Sequence, residues 1–174
     1  MSGFLGEQNK RGRLSFRSVN QRGRPGYDPG LQRHHLLPRQ LLTRRCFAAM
    51  FDTIGFRTTG FDDFRANGVL LPAREEAVWR TLLPLHRGPH RDYNRMVIDR
   101  VGRIESTWAI CRRRDLQKAC EQALLQLGLL QKALRRRLFD QSRPIVLNRR
   151  DPCSRTPDFT ELDAMAEALW AAAA

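Results

Sequence analysis

The apolar residues recur at steps of three and four in four segments, which predicts a mainly helical chain. Residues 38–54 open on a proline and end before a glycine, as helices often do. Residues 72–83 and 89–111 each begin at a proline and repeat the pattern. In residues 116–138 the steps alternate over about three heptads, so this helix needs an apolar partner face. We expect it to fold back on the preceding helix, with a homodimer seam as the alternative.

Two short strands are predicted among these helices. Residues 31–37 have the pattern of a strand, and Val69-Leu70-Leu71 forms a short buried run. Asn67-Gly68 precedes that run and is typical of a tight turn, which indicates a small hairpin. The predicted fold class is therefore α+β and mostly helical, with a short β-hairpin surrounded by helices.

The two ends of the chain differ in charge. Residues 1–30 contain six glycines among basic residues and few apolar ones, which predicts a flexible basic arm. Residues from 151 onward are mainly acidic and keep helical apolar spacing, so a short acidic helix is expected to pack on the body. The predicted organisation is an arm over 1–30, a core over 31–112 and a helical C-terminal extension over 113–174.

Charge narrows the class of partner. The 174 residues are 41% hydrophobic, which is sufficient for one globular core and argues against a disordered or disulfide-stapled chain. Lys plus Arg total 31 against 18 Asp plus Glu, and arginine accounts for all but three of these bases. Because guanidinium groups pair with phosphate oxygens and stack on bases, the excess favours nucleic acid as partner.

The remaining composition favours a cytoplasmic protein. No apolar run reaches the roughly 18 residues that cross a bilayer, and the N-terminus lacks the pattern of an export signal. The four cysteines show no C-x-x-C spacing, so neither a thiolate zinc site nor a disulfide framework is indicated. We therefore expect no membrane partner and a reducing compartment.

The four histidines predict a metal site. They form an adjacent pair, His34-His35, and a spaced pair, His86 and His90, and no other histidine occurs. Neighbours on a strand point in different directions, so only one of the adjacent pair need bind metal. The other, with an ordinary pKa of about 6.5, stays able to accept a proton from water. Three imidazoles with open positions describe a catalytic site, since structural zinc usually takes four protein ligands.

Residues 31–105 resemble the AHH nucleases of the HNH, or ββα-metal, superfamily. Three blocks carry the resemblance: Arg33-His34-His35-Leu36-Leu37-Pro38, then Asn67-Gly68-Val69-Leu70-Leu71-Pro72, then His86-Arg87-Gly88-Pro89-His90-Arg91-Asp92-Tyr93-Asn94. The resemblance implies a ββα-metal (His-Me finger) core, hydrolysis of nucleic-acid phosphodiesters with DNA favoured, and one divalent ion. Mg²⁺ or Zn²⁺ is expected, with Mn²⁺ or Ni²⁺ as alternatives.

The resemblance also implies roles for single residues. His35 would be the general base, and Asn67 would hold the loop of that base by hydrogen bonds. The metal ligands would be His34, His86 and His90. Arg33 replaces the alanine of the family motif. The residues expected to contact substrate are Arg33, Arg87, Arg91 and Asn94, the last being also an alternate metal ligand.

Two other classes of function stay open. A noncatalytic nucleic-acid-binding protein could use the same histidines for structural zinc, although both adjacent histidines would then have to face one ion. An interaction protein would use the heptad helix and the acidic tail, and it leaves the histidines unexplained. The resemblance also implies frequent service as a bacterial toxin module, and a chain delivered in that way would have an acidic immunity protein as a further partner. A free-standing cellular, phage or mobile-element nuclease is the alternative setting.

Overall fold

A two-stranded antiparallel sheet carries the adjacent pair His34 and His35. In the computed structural model, which describes residues 12–154, strand β1 is Leu31–His35 and strand β2 is Gly68–Pro72. The register places Leu31 opposite Pro72 and His35 opposite Gly68. The predicted tight turn at Asn67-Gly68 is wrong. Asn67 ends a short helix and Gly68 begins β2, so the strands are joined by the whole of residues 36–67.

Within residues 12–154, five α-helices surround the sheet, and the α+β, mostly helical prediction is confirmed. They are α1 Arg45–Ile54, α2 Phe64–Asn67, α3 Glu75–Thr81, α4 Arg91–Cys111 and α5 Leu116–Phe139. Short 3-10 turns occupy Phe16–Ser18, Arg39–Thr43 and Pro152–Ser154.

Two predicted helices are shorter than expected. The segment 38–54 divides at Arg44, whose extended backbone separates a 3-10 turn from α1. The helix expected from Pro72 begins at Glu75, because Pro72 is the last residue of β2 and pairs with Leu31. Because Pro72 belongs to the strand pair, the helix cannot begin there and starts three residues later.

Helix α5, which carries the heptad pattern, folds back on α4, as expected from the sequence. Asp115 caps α5 by accepting the main-chain N–H of Lys118 at 2.9 Å, and α5 then packs along α4 and against α1 and α2. Its buried face consists of Ala119, Ala123, Leu127, Gln131, Leu134 and Leu138. Because this stripe is covered by the chain's own helices, a homodimer seam is not required to bury it.

Part of the segment predicted as a free arm lies against the body. The main-chain N–H of Phe64 donates to the Leu14 carbonyl at 2.7 Å, and Ser15 forms a β-bridge with Asp63. The Asn20 side chain joins Asp28 to Leu31 through hydrogen bonds of 2.7–2.9 Å. Residues 1–11 and the predicted acidic helix over 155–174 lie outside the described residues. No helix of the described part has both the length and the apolar character to span a membrane.

Gly68 tests the packing beneath the sheet. A Cβ added at Gly68 would overlap the Phe64 ring, so Gly68→Ala is expected to lower the free energy of unfolding by about 1–3 kcal/mol. At Gly128, within α5, an added Cβ meets nothing within 4 Å, so Gly128→Ala should instead stabilise by up to about 1 kcal/mol. Urea unfolding measures both changes, and an unchanged midpoint for Gly68→Ala would contradict this packing.

Candidate metal centre and active site

Three imidazoles meet at the junction of the sheet and α4. His34 comes from β1, His86 from the loop between α3 and α4, and His90 from the position that caps α4. Their ring centroids are 4.7, 4.9 and 4.8 Å apart, close to an equilateral triangle. Their candidate ligand atoms all lie within 4.8 Å of one another. The predicted metal ligands are therefore brought together.

The nitrogen atoms of this cluster fit a metal ion. His34 Nε2 and His86 Nδ1 are buried and have no hydrogen-bond partner, although buried polar atoms are normally paired. His90 Nδ1 lies 3.2 Å from the Gly88 carbonyl, which favours a proton on Nδ1 and leaves the Nε2 lone pair free. Three imidazoles with free lone pairs are the ligands that zinc, nickel and related ions prefer.

Burial keeps the three rings neutral. Desolvation, followed by the neighbouring imidazoles, lowers the pKa of His34 to about 2. Desolvation and then His90 lower the pKa of His86 to about 4, and desolvation also lowers the pKa of His90. Neutral imidazole is the form that binds metal, so the cluster does not have to lose protons before an ion enters at neutral pH.

Tyr93 supports the cluster from α4. Its ring packs edge-on against His34 at 5.0 Å and lies 5.8 Å from His90. Its hydroxyl donates to the Leu36 carbonyl at 2.9 Å, and burial raises its pKa, so it stays protonated. This hydrogen bond fixes α4 to the residues that directly follow the histidine pair.

His35 lies outside the triangle. Successive side chains of a strand point to opposite faces, and the His35 ring stacks on Phe16 at 3.8 Å with a 5° angle between the planes. Desolvation, with help from Arg39, lowers the pKa of His35 despite the opposing carboxylate of Asp62. A neutral, half-buried imidazole that is not in the ligand cluster can accept a proton.

Asn67 holds the chain that follows His35. Its fully buried side-chain oxygen accepts the N–H of Leu37 at 2.7 Å, and its Nδ2 donates to the Leu37 carbonyl at 3.1 Å. Its main-chain oxygen accepts the Leu36 N–H at 2.8 Å, and Gln131 of α5 donates to its Oδ1 at 3.4 Å. These hydrogen bonds hold Leu36 and Leu37, the two residues that follow His35.

The residues expected to contact substrate are in different environments. Arg33 is exposed, but its guanidinium donates to the Phe16 carbonyl at 2.8 Å and so holds the N-terminal segment. Arg87 and Arg91 are exposed on either side of His90 in the chain. The Asn94 amide nitrogen donates to Gln40 at 3.4 Å, whereas Asn94 Oδ1 is buried without a partner.

Sequence reasoning missed three kinds of contact. A groove of about 320 Å³ beside α4 is lined by Arg44 and Arg95 as well as by Arg91 and Asn94. Arg95 follows Arg91 by one helical turn, and this spacing was the available signal for Arg95. The stacking of Phe16 on His35 had no signal, because Phe16 lies in a glycine-rich, basic segment. Gln131 is a polar residue buried among the apolar residues of α5. Its burial is explained by its hydrogen bond to the Thr59 carbonyl, which the sequence does not reveal.

Comparison with protein-family models matches most of the described chain to one nuclease family. The model of AHH, described as a nuclease family of the HNH/ENDO VII superfamily with conserved AHH, matches residues 15–134. Comparisons with curated proteins and with solved structures gave no match. The match includes the sheet, the three clustered histidines, His35 and most of α5.

The metal-free protein is expected to lose stability on acidification. Unfolded histidine titrates near pH 6.5 and folded His34 near 2, so the unfolded chain binds more protons between these values. Lowering the pH from 7 to 5 should therefore cost about 2 kcal/mol through His34. Thermal melts in chelator measure this, and His34→Gln should flatten the pH dependence; equal slopes for both proteins would contradict the burial of a neutral His34.

Proposed function

The chain belongs to the AHH nuclease family of the HNH/ENDO VII superfamily, and from this premise we propose that it is a metal-dependent endonuclease that hydrolyses phosphodiester bonds, with DNA as the favoured substrate. One observation carries the proposal. Three neutral imidazoles converge on one side of β1, two of them with a buried nitrogen atom that has no partner, while the fourth histidine of the chain lies apart on the other side of the strand.

His34, His86 and His90 would hold one divalent ion. Their all-nitrogen donor set suits Zn²⁺ or Ni²⁺ better than Mg²⁺, which prefers oxygen ligands, and Mn²⁺ is an intermediate case. Such an ion, when bound, supplies Lewis-acid stabilisation of negative charge on the phosphate and the leaving oxygen. The triangle uses three protein ligands and so does not by itself complete a four-coordinate shell.

His35 would act as the general base. A neutral ring nitrogen of His35 removes a proton from the attacking water, and the resulting imidazolium carries that proton away from the phosphate. The stacked Phe16 ring restricts the orientation of the imidazole, and Asn67 fixes the backbone that follows it. General-base assistance of this kind is typically worth about 10²- to 10⁴-fold in rate.

Arginine side chains would bind the phosphate backbone on both sides of the metal centre. Arg87 extends the loop that carries His86, and Arg91 lies in the first turn of α4. Arg44 and Arg95 share a groove with Arg91 and with Asn94. We assign Arg33 a smaller part in substrate binding than its sequence position indicates, because its guanidinium is bound to the backbone of the N-terminal segment.

The biological setting that we propose is that of a toxin or effector nuclease acting in the cytoplasm of a target cell. The excess of 31 basic over 18 acidic residues would make an acidic immunity protein an effective inhibitor, because it would compete with nucleic acid for the same arginines. The noncatalytic zinc alternative receives less support, since His35 is not a fourth member of the ligand cluster.

Substitution of the histidines should separate catalysis from metal binding. His35→Ala is expected to lower plasmid cleavage by about 10²-fold or more while Zn²⁺ affinity stays near that of wild type. His34→Ala should abolish both, because it removes one of three ligands. Plasmid and RNA cleavage with chelator or with added Mg²⁺, Mn²⁺, Ni²⁺ or Zn²⁺ measures activity, and calorimetric titration measures metal affinity.

The same experiment tests the alternatives. Cleavage by His35→Ala at the wild-type rate would reject His35 as the base. Tight Zn²⁺ binding by a wild-type protein that binds but never cleaves nucleic acid would favour the noncatalytic reading. Faster cleavage of RNA than of plasmid would overturn the preference for DNA.

Arg91→Ala should weaken DNA binding by a similar factor whatever the base sequence of the DNA. Loss of one phosphate contact is expected to reduce the slope of log affinity against log salt by about 1. Arg113→Ala is the matched control, since Arg113 is equally exposed but follows the far end of α4. Fluorescence anisotropy with a DNA duplex in chelator measures binding without cleavage, and equal salt slopes for the two variants would contradict the assignment.

A further inference from the structure

The loop that carries His86 has no helix or strand of its own to fix it. His34 is held by the pairing of β1 with β2, and His90 caps α4. His86 lies between Thr81, where α3 ends, and Arg91, where α4 begins. Its buried Nδ1 has no hydrogen-bond partner that could orient the ring. The position of this imidazole therefore depends on the contacts of the backbone around it.

The C-terminal extension supplies one of those contacts. The main-chain N–H of Leu85 donates to Asp151 Oδ2 at 2.8 Å, across 66 positions of sequence. Asp151 is 2% exposed and Leu85 is 1% exposed, so this hydrogen bond is shielded from water. The next N–H, that of His86, donates to the Pro72 carbonyl of β2 at 2.6 Å. Two successive residues of the loop are thus fixed by two separate parts of the fold.

Asn148 contacts the residue on the other side of His86. Its Nδ2 donates to the Arg87 carbonyl, and its Oδ1 accepts the N–H of Arg150 at 2.8 Å. Asp151 Oδ1 accepts the N–H of Cys153 at 3.0 Å, which leaves Oδ2 directed at Leu85. The turn 148–153 therefore holds its own shape while it binds the backbone on both sides of a metal ligand.

We propose that Asp151, with Asn148, positions His86 for metal coordination. This inference rests on the proposed metal-dependent nuclease function, and it makes the C-terminal extension part of the metal centre. Both residues act through the backbone of the loop and are not among the three imidazoles of the cluster. Both lie beyond residue 134, where the match to the AHH family model ends.

A carboxylate at position 151 suits the two main-chain N–H groups that it faces, because both need an acceptor. An aspartate offers two acceptor oxygens, and here each one accepts a main-chain N–H. An asparagine at the same place would turn a donating NH₂ toward one of these N–H groups. Loss of this alignment would move the backbone of His86 relative to the other two ligands. Groups that orient metal ligands typically contribute about 10- to 100-fold to metal affinity.

Metal titration of the full chain tests the proposal. Asp151→Asn is expected to weaken Zn²⁺ and Co²⁺ binding by about 10- to 100-fold and to change the visible absorption of bound Co²⁺, which reports coordination geometry. Asp115→Asn is the matched control, because the Asp115 carboxylate also accepts a main-chain N–H, that of Lys118, but lies beyond the opposite end of α4 from His90. The control should bind both metals as wild type does.

The titration is performed at 10 °C on protein verified as folded by circular dichroism. If Asp151→Asn does not fold, Asn148→Ala removes the side-chain contacts to Arg87 and Arg150 while Asp151 is kept, and it should weaken metal binding in the same direction. A variant that melts earlier yet keeps wild-type metal affinity and Co²⁺ spectrum would reduce Asp151 to a purely structural residue and overturn the proposal. Failure of wild type itself to bind metal would instead overturn the proposed function.

Discussion

Two imidazole nitrogen atoms that are buried without a protein partner, His34 Nε2 and His86 Nδ1, are the constraint on which the rest of the molecule depends. Buried polar atoms without hydrogen bonds are costly, so the fold must hold them in place with contacts made elsewhere. Sheet pairing holds His34, the Gly88 carbonyl orients His90, and Tyr93 packs against both rings. An ion that accepted these lone pairs would offset that cost, which links metal affinity to the stability of the fold.

A second, polar set of contacts ties the chain that follows His35 to α5. Asn67 uses its side-chain oxygen and amide on the backbone after His35, and Gln131 of α5 reaches both Asn67 and the Thr59 carbonyl. Such buried networks specify a geometry when every member is satisfied. The position of the residue after the proposed base therefore depends on a helix that contributes no ligand.

The alternation of side chains along β1 separates two chemical roles. His34 faces the ligand cluster, and His35 faces Phe16, so one imidazole can hold an ion while its neighbour keeps a free lone pair. Desolvation lowers the pKa of both rings, which keeps both neutral at physiological pH. Under the proposed function, neutrality would serve coordination in one case and proton acceptance in the other.

Local pattern was sufficient for part of this description. Apolar spacing predicted α4, α5 and their contact, and the grouping of the histidines predicted three ligands and a separate fourth ring, because both signals lie in short stretches of chain. Only the tertiary structure decided that Pro72 ends a strand, that Phe16 stacks on His35, and that Asp151 binds the backbone beside His86. These are contacts between residues up to 66 positions apart, and a hydrogen bond or ring stack across that distance has no periodicity in the sequence to reveal it.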